Sequence, residues 1–121
     1  MKEVTRHVVY AHEKDVAGIS LPGRIARPLA GRDNGAQLLS AGIVTFPAHS
    51  VSAAHVHTSE EEALYVVDGR GHVECEGQVL PIEPGSFVFV PPGISHSVHN
   101  TGDEPIKFFY AFSPPVVIGS W

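Results

Sequence analysis

Three histidines and one glutamate in this sequence have the residue types and the spacing of a metal-binding set. His55-Val56-His57 puts two imidazoles at i and i+2, one face of an extended strand, so both can reach one ion without distorting the backbone. Glu62 opens a predicted strand over Ala63–Asp68 and supplies a carboxylate oxygen pointing back to the same place. His96, just past Pro91-Pro92-Gly93, brings a third imidazole from a separate strand. Three imidazoles and one carboxylate leave two positions open on octahedral Fe, Mn, Ni or Co, or a fifth position on Zn. One divalent transition metal is therefore the expected cofactor, with a small-molecule substrate at the open positions. The plainer alternative is a polar core group, hydrogen-bonded without metal, and the presence of all four ligand types weighs against it.

Other residues are open to two readings. Glu60 and Glu61 compete with Glu62 as the carboxylate. Tyr110, in phase with Phe108 and Phe112, is a candidate catalytic pocket residue carrying one hydroxyl, or part of a core stripe. His49 is a candidate base or proton shuttle, or a solvated turn residue beside Ser50. His72 and His99 are expected to face outward, and Glu74 and Glu76 to lie on a solvated face. Cys75 has no cation nearby to lower its thiol pKa and is expected to pack in a strand.

The elements that must position these residues read as β. A chain of 121 residues with 43% apolar content can bury one core, so one domain is expected. Twelve glycines and ten prolines punctuate short apolar runs, which is how a sandwich or barrel marks its turns. The expected strands are Gln37–Phe46, Ala63–Asp68, His72–Glu76, Gln78–Leu80, Ser86–Val90, Ser95–Asn100 and Ile106–Ser113. Residues 1–36 are expected to form an arm packing on the barrel or a partner subunit, because Leu21-Pro22-Gly23 and Arg27-Pro28-Leu29 break any longer pattern; residues 37–121 form the barrel. Leu64-Tyr65-Val66-Val67, Phe87-Val88-Phe89-Val90 and Phe108-Phe109-Tyr110-Ala111-Phe112 are apolar on both sides of the alternation, so both faces should be covered, and a homodimer is the expected means. Eight Lys and Arg against thirteen Asp and Glu, net charge -5, argue against nucleic acid as a partner. No apolar run reaches signal-peptide or membrane-spanning length, so no membrane association and a cytoplasmic location are expected.

Two stretches resemble a known family. His55-x-His57-x4-Glu62-x6-Gly69 is similar to the first cupin motif, and Gly85-x5-Pro91-x-Gly93-x2-His96-x3-Asn100 matches every fixed position of the second. The resemblance covers roughly residues 37 to 113. It implies an all-β cupin fold, the double-stranded β-helix or jelly-roll barrel, with metal ligands at His55, His57, Glu62 and His96. The distance to Gly69 favours Glu62 over Glu61. One position departs: His49 stands where the family has a glycine, six residues before the first ligand.

The resemblance and the residues together point to a metal-dependent enzyme on a small organic compound. Oxygen chemistry of dioxygenase type on an enol- or phenol-like substrate is the first expectation, since the expected interior is aromatic (Phe87, Phe89, Phe108, Tyr110, Phe112) and the ligand-bearing segments contain no Arg or Lys. The alternatives are a non-redox lyase, isomerase or polyketide cyclase, or a non-catalytic small-molecule-binding barrel.

Overall fold

A computed structural model describes residues 2–3 and 8–118; residues 1, 4–7 and 119–121 of the expected arm and barrel lie outside the described residues. The strands are β1 (Lys2–Glu3), β2 (Val9–Tyr10), β3 (Ile19–Leu21), β4 (Arg24–Ala30), β5 (Ser40–Phe46), β6 (Ser50–Val51), β7 (Glu61–Asp68), β8 (Gly71–Cys75), β9 (Gln78–Ile82), β10 (Phe87–Val90), β11 (His96–Asn100) and β12 (Ile106–Ser113). No α-helix occurs among the described residues, and none is therefore long and apolar enough to cross a membrane. Every strand pairing is antiparallel. One sheet has the order β10-β7-β12-β5-β4-β3, a second β6-β11-β8-β9, and β1 pairs with β2. This is the expected all-β jelly roll.

The core lies between the two larger sheets. Val44, Phe46, Leu64, Val66, Phe108, Tyr110 and Phe112 come from the first, and Val73, Ile82 and Val98 from the second. Side chains as fully buried as Phe108, Val66 and Val73 each contribute about 1.5–3 kcal/mol of transfer free energy. Asn100 is one of several buried polar side chains. Its buried amide donates to the carbonyls of Phe46, Pro47 and Glu104 and its Oδ1 accepts from the Gly102 N–H, so it caps the end of β11.

Two expectations need correction. The two breaks read in residues 1–36 are internal features of a hairpin: Pro22-Gly23 is its turn, with Gly23 at φ +74°, and Pro28 sits beside a bulge in β4. A proline without an N–H is tolerated at such an irregularity, so β3 and β4 extend the first sheet past β5. The second correction concerns the apolar strands. Their burial alternates, leaving Tyr65 (47%), Phe87 (63%), Phe89 (51%) and Phe109 (41%) exposed on the outer face, so Phe87 and Phe89 are not interior residues.

Candidate metal centre

Three local devices hold the four ligand candidates. His55 and His96 form an isolated antiparallel bridge with reciprocal backbone hydrogen bonds of 3.0 and 3.1 Å, which locks the two rings side by side, their centroids 4.3 Å apart. The His55–His57 segment is otherwise irregular rather than a strand. His57 is placed instead by the Pro91-Pro92-Gly93 turn, whose Gly93 N–H donates to its carbonyl at 2.8 Å, and by the Phe112 ring against its imidazole. Glu62, on β7, lies between Val90 of β10 and Phe112 of β12.

These devices bring one ligand atom from each of His55, His57, Glu62 and His96 within 4.8 Å of all the others. Glu60 and Glu61 are not in this group. Glu62 Oε1 stands 2.8 Å from His96 Nε2 and 3.8 Å from His57 Nε2. Although close, buried Glu62 Oε1 and His96 Nε2 make no aligned hydrogen bond. Buried polar atoms in native structures have partners, and donor atoms aimed at a common point rather than at each other suit a cation. The Nδ1 atoms of His55 and His96 lie 3.1 Å from the carbonyls of Ala53 and Ile94. A carbonyl only accepts, so Nδ1 carries the proton in each neutral ring and Nε2 offers its lone pair to the site. The donor set therefore fits a divalent transition ion.

Protonation follows the surroundings. Burial pushes the His55 imidazole down to about 4, against the Ala53 carbonyl, and lowers His57 against the attraction of Glu62. Burial also acts downward on His96, but the adjacent Glu62 carboxylate and the Ile94 carbonyl outweigh it and raise its pKa. His55 is thus neutral at physiological pH, and a cation must compete with the proton most at His96, whose pKa is raised.

The centre opens into a pocket of about 40 Å³ walled by Leu21, Ala26, Val44, Phe46, Leu64, Val98, Phe112 and Ile118. Tyr110 lines it. Its phenol is pushed up to about 12 by burial, and its hydroxyl occupies the space beside Gly42, where an added Cβ would come within 2.6 Å. His49 does not line this pocket. It is exposed, with Nε2 2.8 Å from Asp103 Oδ1, and its backbone is left-handed at φ 56°, which explains why the related motif prefers glycine there.

Arg24 is the residue that sequence reasoning missed. It stands on β4, lines the pocket beside Glu62, and donates from Nη1 to the Pro22 carbonyl at 2.9 Å. Burial lowers its pKa and Glu62 opposes the change, yet a guanidinium stays charged throughout the physiological range. The ground for an arginine-free site is therefore overturned: the cation arrives from a strand remote in sequence from the ligands. Leu21, Arg24 and His55 also line an adjoining groove of about 520 Å³, so the small inner pocket continues outward past the guanidinium.

Known proteins resemble this chain in sequence and in fold. The chain is 30% identical over 79 residues to an uncharacterized protein, MJ1618, of Methanocaldococcus jannaschii, covering 65% of this chain and 62% of that one. It is 36% identical over 62 residues to an oxalate-binding protein of Thermotoga maritima, covering 51% of each. The chain thus spans less than two thirds of the length of either relative. Among solved structures, ectoine synthase from P. lautus superposes with a TM-score of 0.81 at 19% identity, over 91% of this chain and 80% of that one, which shows a common fold. Residues 42–112, more than half of the sequence, match the family model described as Cupin domain, and this protein accordingly belongs to the cupin family.

Proposed function

We propose that this protein is a metal-dependent enzyme acting on a small organic substrate that presents an anionic oxygen, an enolate, phenolate or carboxylate, to the centre formed by His55, His57, Glu62 and His96. The observation that carries this reading is the placement of Arg24 beside those four residues in an otherwise apolar pocket. A divalent ion, when bound, supplies Lewis acidity for a substrate oxygen, and Fe or Mn also supplies redox chemistry.

The side chains divide the remaining work. Arg24 offers a permanent cation and forked N–H donors to a second substrate oxygen. Tyr110 keeps its proton and so serves as a wall and hydroxyl donor rather than as a base. Phe46, Leu64 and Phe112 exclude water, which strengthens every charge interaction inside. With about 40 Å³ of room, only the reacting end of a substrate enters, and its remainder lies in the outer groove. The oxalate-binding name of the Thermotoga relative supports an oxygen-rich anion. Since Arg24 removes the reason for expecting a purely apolar ligand, lyase, isomerase or cyclase chemistry becomes the first reading. Dioxygenase chemistry on an enol- or phenol-like compound is the second, favoured by the aromatic walls Phe46, Tyr110 and Phe112.

Arg24→Ala should weaken binding of oxalate, used as a probe anion, by about 10–100-fold in metal-loaded protein, the loss of a charge-assisted hydrogen bond, while metal affinity changes little. Calorimetric titration reads both. Equal oxalate affinity in wild type and variant would remove Arg24 from the site. O2 uptake measured with enol and phenol substrates separates the two reaction types.

We also propose that a second copy covers the outer face bearing Tyr65, Phe87, Phe89 and Phe109, four aromatic residues contiguous across β10, β7 and β12. Exposed apolar patches of that kind mark interaction surfaces. Sedimentation should find a dimer that Phe87→Lys dissociates; a monomeric wild type would contradict it.

A further inference from the structure

A second group of ligand-type side chains lies on the opposite face of the four-stranded sheet. His72 and Glu74 stand on β8 and His99 on β11, and one ligand atom from each lies within 4.8 Å of the other two. Their neighbours Val73 and Val98 point into the core, so the strand alternation turns these three outward, away from the centre that holds His96. His72 and His99 are directly opposed across the strand pair, and their rings stack at 4.7 Å with 12° between planes. Glu74 Oε2 is 3.0 Å from His72 Nε2 and 3.4 Å from His99 Nε2, and Ser97 Oγ is 2.9 Å from His99 Nε2.

We propose that His72, Glu74 and His99 form a second, surface site for a divalent transition ion of borderline softness, Zn(II), Ni(II) or Cu(II). Two imidazoles and one carboxylate are the donors that such ions prefer, and hard Mg(II) or Ca(II) ions do not select imidazole. All three donors are on regular strands and already gathered, so little backbone entropy is lost on binding. The residues opposite the cluster on β9 and β6 are Val79, Pro81 and Val51, leaving a polar triad inside an apolar rim. Such a rim lowers the local dielectric and strengthens a cation's attraction to Glu74. His72 and His99 are part-buried and Glu74 is exposed, so the remaining coordination positions face solvent. A bound ion would tie β8 to β11, the strand that carries His96 on its other face.

The test is Zn(II) stoichiometry by equilibrium dialysis on untagged, full-length protein. Wild type is expected to bind two equivalents and the His72→Ala/His99→Ala variant one. His57→Ala/His96→Ala should also retain one, which is lost when all four substitutions are combined. Circular dichroism and the milder His99→Gln variant guard against misfolding. Wild-type stoichiometry left unchanged by His72→Ala/His99→Ala and by His99→Gln would overturn the proposal. Stoichiometry left unchanged by His57→Ala/His96→Ala alone would instead count against the inner centre, so the two failures are distinguishable.

Discussion

His96→Ala is expected to weaken transition-metal binding at the inner centre by more than about 100-fold, because even a substitution outside the ligand set costs about 10–100-fold at comparable sites. The effect is large because His96 joins three parts of the site. Its Nε2 faces Glu62 at 2.8 Å, its Nδ1 is oriented by the Ile94 carbonyl, and its backbone is bridged to His55. The barrel should remain folded, since Val66, Val73, Ile106 and Phe108 of the core cluster lie outside the pocket at the centre. Calorimetry in buffers of different ionisation enthalpy adds a second readout. In the wild type, the pKa of His96 is raised by Glu62 and the Ile94 carbonyl against the pull of burial, so at pH values below that raised pKa metal uptake releases a proton, and affinity falls as pH drops through it. The variant has no such proton to release. Unchanged metal affinity in His96→Ala would place the ion elsewhere, and unfolding would make the ion or the ring structural.

Asn100→Ala should cost about 3 kcal/mol of stability, since it removes the amide partner of the Gly102 N–H and of the Phe46 and Glu104 carbonyls, at roughly 1 kcal/mol for each of the three, while the Pro47 carbonyl keeps the Ser50 hydroxyl. For a chain of this size that lowers the melting temperature by about 10–20 °C. Asn100→Asp serves as the control: a carboxylate can still accept from Gly102 but cannot donate to Phe46, Pro47 and Glu104, so it should be at least as damaging. Metal affinity of the folded variant should change far less than its stability, because Asn100 is at the opposite end of β11 from His96. A melting temperature within a degree or two of wild type would show that water replaces the amide.

The barrel from β5 onward was legible because glycine and proline mark its turns and each apolar run between them is one strand. The candidate metal-binding quartet was legible for a related reason. His55 and His57 are neighbours in sequence, and Glu62 and His96 are fixed relative to Gly69 and to the Pro91-Pro92-Gly93 corner. What escaped was long-range. Arg24 reaches the pocket through a β3–β4 hairpin whose prolines, read locally, signal breaks, whereas the sheet accommodates one in a turn and the other beside a bulge. Phe87 and Phe89 escaped because an apolar strand does not disclose which face is inward; pairing with Tyr65 and Ala63 of β7 decides it. The His72, Glu74 and His99 cluster needed the register of β8 against β11, which no local pattern contains.

The most direct test of the metal centre is anomalous diffraction from crystals of metal-reconstituted protein, collected across the absorption edges of Mn, Fe, Co, Ni and Zn. The account predicts one strong peak about 2.0–2.3 Å from Nε2 of His55, His57 and His96 and from a Glu62 oxygen. A reconstituted protein with no peak there, its four side chains hydrogen-bonded to one another, would contradict it.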